Sequence, residues 1–429
     1  MDFFISNVNA AFNSDIALLH IALPLGISFF TITQIAFLID CYHGLVKERN
    51  PINYALFVTF FPHLIAGPIL HHKEMMPQFA NTKNKILNYK NCALGLFLFA
   101  IGLFKKIVIA DSFAKWANAG FSAVEGGQIL NIFESWATSL SYTFQLYFDF
   151  SGYCDMAVAL GLLFNIKLPI NFNSPYKALN ITDFWRRWHI TLGRFLKSYL
   201  YIPLGGNRNV AYRQSRFYNF INKLLTLRNL FIVAFISGIW HGAGFGFVIW
   251  GCLHGLAMVV HRIYGFMLEA RESKRDKDSA EALPHSNAWQ DTKSNKVAKG
   301  LRQNRFYKIL CWFITFNFIN ITWVFFRAEN LQGAFNLLRG MFGIAWATLP
   351  DKWYMAGFML QSIKGNDKTL LSLFLAFILC LCCCNSMQIL DRFDKRVYLF
   401  SFCASFIFAC SIFCMLIQNS LPEFIYFNF

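Results

Sequence analysis

Apolar runs recur along the chain, and several reach the about 20 residues that a helix needs to cross a bilayer. They lie at 16–39, 91–110, 129–150, 153–170, 228–260, 308–327 and 397–418, with a shorter run at 370–384. Residues 54–70 are also apolar, but Pro62, Gly67 and Pro68 interrupt them, which favours a re-entrant segment. The pattern predicts an all-α, polytopic membrane bundle of about nine membrane segments.

One long polar stretch interrupts this pattern. Residues 262–308 are charged, rich in Ser and Asn, and without apolar periodicity. Such a composition cannot bury enough apolar surface to form a core. We therefore predict a single membrane domain over 1–429, with 265–305 as a disordered cytoplasmic loop.

Composition supports the membrane prediction and argues against a metal site. Hydrophobic residues make up 56% of the chain and aromatic residues 18%, too much for a soluble protein of this size. Most of the 12 cysteines lie in apolar runs, where free cysteine behaves as a small hydrophobic residue. The sequence contains neither an HExxH motif nor a pair of CxxC motifs, so no metal is predicted.

The positive charge is unevenly distributed. Lys and Arg outnumber Asp and Glu by 39 to 23, and residues 184–268 contain no acidic residue. The positive-inside rule explains this if the loops of that stretch are cytoplasmic. A basic, acid-free surface also attracts an anionic donor such as coenzyme A. Both explanations place the stretch at the cytoplasmic side.

An aromatic and basic segment at 182–208 is predicted to begin with a helix. Thr182 is a suitable N-cap and Asp183 suits a first turn. At helical spacing Trp185, Trp188 and His189 share one face, as on a helix lying at a membrane surface. His189 is therefore expected among aromatic rings.

The apolar run at 228–260 contains His241, with glycines at positions 238, 242 and 246. A histidine at membrane depth is costly, so a functional role is the default, although a hydrogen-bonded structural histidine is the alternative. Glycines four residues apart let neighbouring helix backbones approach closely. Asp149 and Asp155 are similarly unusual in an apolar setting, either as a catalytic pair or, more simply, as structural acids that fix helices.

Several motifs together resemble one family. They are WRRWH (185–189), YIPLGGNR (201–208), WHG followed by WGCLHG (240–242 and 250–255), LPLGISFF (23–30), FPHLIAGPI (61–69) and YFDFSGY (147–153). The set is similar to the membrane-bound O-acyltransferase family, in its bacterial alginate and peptidoglycan O-acetyltransferase branch. The resemblance covers most of the chain and implies re-entrant and interfacial helices around a central tunnel. Against that family, the chain looks shortened at its N-terminus.

The resemblance also implies the site. His241 matches the family's WHG histidine and is expected to be catalytic, and His189 matches its second histidine, which orients substrate or polarises the thioester carbonyl. For His189, anchoring at the membrane surface is the competing interpretation. Substrate-binding residues are expected at Trp185, Arg186, Arg187, Trp188, Trp240, Asn173, Asp149 and Asp155.

The implied function is an O-acetyltransferase of the bacterial inner membrane. It would take acetyl from cytoplasmic acetyl-CoA, without a permanently bound cofactor, for O-acetylation of peptidoglycan or alginate. A periplasmic SGNH-type protein, the polysaccharide and membrane lipids are the implied partners, and no nucleic acid is expected. The alternatives are D-alanyl transfer to teichoic acid from a carrier protein, and a proton-coupled transporter using intramembrane His and Asp.

Overall fold

A computed structural model of the chain describes residues 2–20, 26–48, 50–208, 217–281, 304–344, 359–392, 397–417 and 424–425. These residues form helices and connecting turns without a strand, which confirms the all-α prediction. The helices are α1 Asp2–Phe12, α2 Ile27–Tyr42, α3 Pro51–Thr59, α4 His72–Ala80, α5 Tyr89–Phe104, α6 Asp111–Glu125, α7 Ile132–Leu163, α8 Ile181–Trp185, α9 Ile190–Leu196, α10 Tyr218–His241, α11 Phe245–Glu281, α12 Arg305–Arg327, α13 Leu331–Met341, α14 Asp367–Leu381, α15 Ser386–Leu390 and α16 Val397–Ile417.

Six helical stretches among the described residues are long and apolar enough to cross a membrane. They are Tyr89–Glu125, Ile132–Leu163, Tyr218–His241, Phe245–Lys274, Arg305–Arg327 and Val397–Ile417. Helix α2 is apolar but shorter, with 16 residues. The chain is therefore a multi-pass membrane protein, as its hydrophobic pattern predicts.

Helix α7 is the centre of the bundle and differs from its prediction. The sequence indicated two segments, 129–150 and 153–170, but the structure has one helix of 32 residues. Asn131 and Glu134 form a capping box at its start. The helix continues through the polar residues at its midpoint because neighbouring elements pack closely against them. At Gly152, α5 approaches so closely that an added Cβ would lie 2.7 Å from the Gly102 carbonyl oxygen.

A π-helical turn, Lys105–Ala110, joins α5 to α6 without a break. It presents two consecutive lysines to α7: Lys105 Nζ lies 2.7 Å from Asp155 Oδ2, and Lys106 Nζ lies 2.8 Å from Asp149 Oδ1. In an α-helix, consecutive side chains point about 100° apart around the axis. The π turn has more residues per turn, which narrows this angle and helps Lys105 and Lys106 to face α7 together.

Helices α10 and α11 form a tight hairpin. A Cβ added at Gly238 would lie 2.5 Å from the Phe247 carbonyl oxygen and 2.9 Å from Gly251 Cα. A Cβ at Gly246 would lie 2.3 Å from the carbonyl oxygen of Phe325 in α12. The predicted role of these glycines in close helix packing is confirmed, and it brings His241, at the end of α10, against α11 and α12.

The polar stretch after α11 differs from its prediction in part. Helix α11 continues to Glu281, so residues 265–281 of the predicted disordered loop are helical. Glu, Ala, Lys and Arg are frequent there, and these residues have high helix propensity, so a helix emerging from the bundle continues through them. Residues 282–303 lie outside the described residues, and α12 begins at Arg305.

Candidate active site

The predicted helix after Thr182 is interrupted at its functional centre. Asn180, not Thr182, caps α8, which ends at Trp185, and α9 begins only at Ile190. The prediction of one continuous helix is wrong. The segment preceding α8 provides the physical reason, because Asn173 N donates to the Arg187 carbonyl at 2.9 Å and Ile190 N donates to the Asn171 carbonyl at 2.9 Å. These bonds replace helical ones and stabilise the break.

His189 lies at this break and not on a regular helix face. Its backbone is left-handed, with φ 45° and ψ 53°, a conformation that costs a non-glycine residue about 1–3 kcal/mol and is concentrated at functional sites. The side chain is 1% exposed. Its ring contacts Phe150 at 4.9 Å and Phe29 at 6.2 Å between centroids. The expected aromatic surroundings are present, although the element that provides them is a turn.

Asn171 is the polar partner of His189. Asn171 Oδ1 lies 3.0 Å from His189 Nδ1 and accepts from Thr191 N at 3.2 Å and Thr191 Oγ1 at 2.9 Å. Asn171 and Thr191 are each 2% exposed. The orientation of the imidazole is therefore set by a dry hydrogen-bond network.

His241 ends α10, where Gly242 adopts an extended backbone. The imidazole is enclosed by rings of three elements: Trp240 at 4.8 Å, Trp250 at 5.2 Å and Phe326 at 5.1 Å between centroids. His241 is 5% exposed. Such surroundings disfavour an imidazolium, so the ring is expected to be neutral and able to accept a proton.

The fold brings His189 and His241 to the same place. Both rings contact Trp240, His189 at 6.5 Å and His241 at 4.8 Å. His189 lies outside the six spanning stretches, and burial, together with the neighbouring His241 imidazole, lowers its pKa well below the usual value. Two buried, neutral imidazoles that both contact one indole form the core of the candidate site.

A third buried histidine, His254, is fully engaged in structural bonds. The Trp185 indole donates to His254 Nδ1 at 3.2 Å. Because Nδ1 accepts, the proton resides on Nε2, which lies 3.0 Å from Thr322 Oγ1. This supports the prediction that His254 is structural, and it assigns the Trp185 indole to the same contact.

The other predicted binding residues of this segment have different surroundings. Trp188 is 1% exposed and packs against Phe172 at 5.0 Å and Trp323 at 5.1 Å, in the hydrophobic core. Arg187 Nε donates to Asp183 at 2.9 Å, whereas Arg186 is exposed. Trp188 and Arg187 are thus held by structural partners. Among the predicted binding residues, Trp240 contacts both His189 and His241.

Asn173, Asp149 and Asp155 are also held by structural partners. The Asn173 side-chain oxygen accepts from Asn385 at 2.9 Å. Asp149 Oδ2 accepts from the backbone of Ile425 at 2.9 Å, and Asp155 Oδ2 accepts from Ser386 at 2.5 Å. With the lysine bridges described above, the two carboxylates belong to separate ion pairs. This arrangement favours structural acids over a catalytic pair.

A cavity of about 260 Å³ is lined by residues of α2, α4 and α9 and of the segment before α4. Thr191 forms part of its wall, together with Ile69, whose backbone donates to Thr191 Oγ1 at 3.0 Å. The side chains of Lys73 and Arg194, 50% and 37% exposed, lie at its rim. Thr191 therefore contributes both to the wall of this cavity and to the hydrogen-bond network of His189.

One cluster has the composition of a metal site. Potential ligand atoms of Asp40, His71 and His72 lie within 4.8 Å of one another. However, His72 Nε2 already lies 2.7 Å from Asp40 Oδ2, and the Lys73 ammonium lies 3.4 Å from the same oxygen. Burial and the adjacent His72 lower the pKa of His71 to about 4. The positive charge of Lys73 disfavours a bound cation at this cluster. These contacts therefore favour a structural hydrogen-bonded contact between α2 and α4 over a metal site.

Sequence reasoning missed Asn171, Thr191, Phe150 and Trp250 as members of the site. Asn171 belongs to the same Asn-rich loop as the predicted Asn173. The sequence alone does not show which of the two side chains contacts His189, because that depends on how the loop is placed in the fold. Trp250 is part of the WGCLHG motif, which was the available signal. Phe150 is part of the YFDFSGY motif, which was a signal of the same kind, whereas Thr191 lies in none of the quoted motifs.

Comparison with known proteins adds a family match. The sequence profile of the membrane-bound O-acyltransferase family, MBOAT, matches residues 22–284. A peptidoglycan O-acetyltransferase of Helicobacter pylori is 49% identical over 390 residues, which are 85% of this chain and 65% of that protein. A probable alginate O-acetylase, AlgI, of Pseudomonas aeruginosa is 38% identical over 335 residues, which are 78% of this chain and 54% of that protein.

A more distant relative has a different acyl group in its name. The teichoic acid D-alanyltransferase of Bacillus subtilis is 27% identical over 300 residues, which are 69% of this chain and 66% of that protein. This chain thus spans between about half and two thirds of the length of these relatives.

Proposed function

Because this chain belongs to the membrane-bound O-acyltransferase family, we propose that it takes part in O-acetylation of an extracytoplasmic polysaccharide. The observation that carries the proposal is the pair of buried imidazoles, His189 and His241, whose rings both contact Trp240. Similarity to a peptidoglycan O-acetyltransferase and to an alginate O-acetylase supports acetyl as the acyl group.

In the proposed reaction an acceptor hydroxyl attacks the carbonyl carbon of an acetyl thioester. A C–O bond forms and the C–S bond breaks, and the hydroxyl proton must leave as the new bond develops. His241 is proposed as the general base, because a neutral imidazole in a dry pocket keeps its lone pair. The proton then passes to the departing thiolate. Trp240, which contacts both imidazoles, is the proposed substrate-contacting residue.

Acetyl-CoA is the proposed donor, acting from the cytoplasm. The basic, acid-free stretch 184–268 favours a cytoplasmic location by the positive-inside rule, and positive charge also attracts the phosphates of coenzyme A. Peptidoglycan is the proposed acceptor and alginate the alternative. A periplasmic SGNH-type protein is the proposed partner that completes transfer in the inner membrane of a bacterium.

Thiol labelling tests this orientation. Arg186→Cys, at an exposed position, is expected to react with a membrane-impermeant maleimide in inside-out vesicles and not in intact cells. The matched control is the same chain without the new cysteine, because native Cys41, Cys382 and Cys383 are also exposed. Additional labelling of intact cells would place this segment outside and reverse the proposed direction.

Acetate measurements test the function itself. Cells lacking the gene, complemented with the natural chain or with His241→Ala, are compared for ester-linked acetate released by mild alkali from purified peptidoglycan and exopolysaccharide. We expect acetate to return with the natural chain only. Release of D-alanine from teichoic acid in its place would support the D-alanyltransferase alternative. Unchanged acyl content in all fractions would contradict acyl transfer and leave a transporter as the better explanation.

A further inference from the structure

The buried network around His189 determines which of its nitrogens carries the proton. Asn171 Oδ1 and Nδ2 have nearly the same shape, so their assignment must come from an unambiguous partner. The backbone N–H of Thr191, which can only donate, provides that partner at 3.2 Å. The atom of Asn171 that faces this segment is therefore the oxygen.

The same oxygen lies 3.0 Å from His189 Nδ1. A carbonyl oxygen can only accept, so His189 Nδ1 must donate and carry the proton. In a neutral imidazole this leaves the lone pair on Nε2. His254 shows the opposite arrangement, because its Nδ1 accepts from the Trp185 indole.

We propose that Asn171 is a positioning residue that holds His189 as the Nδ1–H tautomer, so that His189 Nε2 acts toward substrate as a hydrogen-bond acceptor. The proposal rests on the proposed function. Of the two roles that the sequence suggested for His189, it is compatible with orienting the substrate and not with polarising the thioester carbonyl, since the latter requires a donor. A neutral His189 in this tautomer instead receives a hydrogen bond from a hydroxyl or thiol.

Nearby groups are consistent with a neutral His189. Among the residues that the structure describes, His241 of α10 lies close enough to His189 to influence its charge, and the Cys154 thiol of α7 lies 3.3 Å from Asn171 Nδ2. Helix α2 presents Phe29, and α9 presents the Thr191 hydroxyl. Burial lowers the pKa of His189 well below its usual value.

Two nearly isosteric substitutions test the role. Asn171→Leu removes the acceptor, so the tautomer is no longer specified and transfer should fall by at least about 10-fold; loss of the correct tautomer in a base–orienter pair elsewhere costs up to about 10⁴. Asn171→Asp keeps an acceptor for His189 and both Thr191 donors. Its carboxylate, an opposite charge beside the ring, should raise the pKa of His189.

The direction of the pH effect separates an acceptor from a donor. If His189 acts as a neutral acceptor, Asn171→Asp should be active at high pH and lose activity as pH falls through the raised pKa. The natural chain should lose activity only at a lower pH. If protonated His189 were the active form, Asn171→Asp would gain activity as pH falls. That result would overturn the proposal.

Asn229→Leu is the matched control for burying a leucine at an asparagine position. Asn229 is 0% exposed and bonds the carbonyl oxygens of Leu204 and Gly206, away from His189. It should reduce the amount of folded protein without changing the shape of the pH profile per molecule. A pH profile that Asn229→Leu and Asn171→Asp change alike would reduce Asn171 to a structural residue.

A measurement without activity completes the test. In [¹⁵N]histidine-labelled protein, ¹⁵N chemical shifts distinguish protonated from unprotonated ring nitrogens, and the signals missing from His189→Gln identify His189. We expect a protonated Nδ1 in the natural chain and a mixture of tautomers in Asn171→Leu. A protonated Nε2 in the natural chain would overturn the inference. If the tautomer is as expected but no variant, including the natural chain, transfers acetyl, the proposed function fails and the tautomer assignment stands.

Discussion

Replacing His241 with alanine is expected to abolish measurable acetyl transfer while leaving the protein in the membrane. Loss of a general base typically lowers a rate by about 10²–10⁴. His241 packs among the rings of Trp240, Trp250 and Phe326, so its removal leaves a cavity in an otherwise intact hairpin. Transfer from radiolabelled acetyl-CoA, divided by the amount of purified protein, measures the effect.

Two other histidines provide the controls. His254→Ala removes a 0% exposed ring with bonds to Trp185 and Thr322, so it should lower thermal stability while each folded molecule keeps appreciable activity. His43 is exposed, and His43→Ala should change neither quantity. If His241→Ala keeps the natural rate per molecule, or loses activity only in proportion to folded protein, His241 is structural.

Gly238→Ala is expected to destabilise the α10–α11 hairpin by about 1–3 kcal/mol, the usual cost of overpacking. Its Cβ would meet the Phe247 carbonyl oxygen at 2.5 Å and Gly251 Cα at 2.9 Å, and both are backbone atoms that cannot move aside alone. The two helices must therefore separate. His241 lies about one turn beyond Gly238 in α10, so this separation displaces it as well. A lower melting temperature in detergent, with reduced transfer, is the expected result.

Gly265→Ala in α11 is the matched control. A Cβ there has only the Arg262 guanidinium nearby, at 3.9 Å, and alanine has the higher helix propensity. This variant should be as stable as the natural chain or slightly more stable. Equal stability of Gly238→Ala and Gly265→Ala would mean that the close approach of α10 and α11 has little energetic weight.

The pattern of apolar residues was sufficient for the class of fold and for most spans. Runs near 91–110, 308–327 and 397–418 correspond to helices Tyr89–Glu125, Arg305–Arg327 and Val397–Ile417. Such runs are informative because a bilayer requires every backbone group to be bonded within the segment. The glycine spacing in α10 was also informative, because close helix packing at these positions requires only that a side chain be absent.

Polar residues within apolar runs misled the pattern at α7. Asp149, Ser151, Gly152 and Asp155 suggested a break between two segments, yet the helix is continuous. Their compensation comes from Lys105 and Lys106, which a π turn presents to α7 from another helix. A partner so distant in the chain leaves no periodic signal.

By itself the sequence determined the all-α membrane architecture, the packing glycines, and His189 and His241 as candidate site residues, because each depends on composition, local spacing or a motif. Only the tertiary structure decided that the helix breaks at His189, that Trp240 contacts both imidazoles, and that Asn171 sets the His189 tautomer. The physical reason is that these features depend on hydrogen bonds and ring contacts between separate segments. Asn171 is 18 positions from His189, and their side chains meet only because the chain folds back on itself after α7.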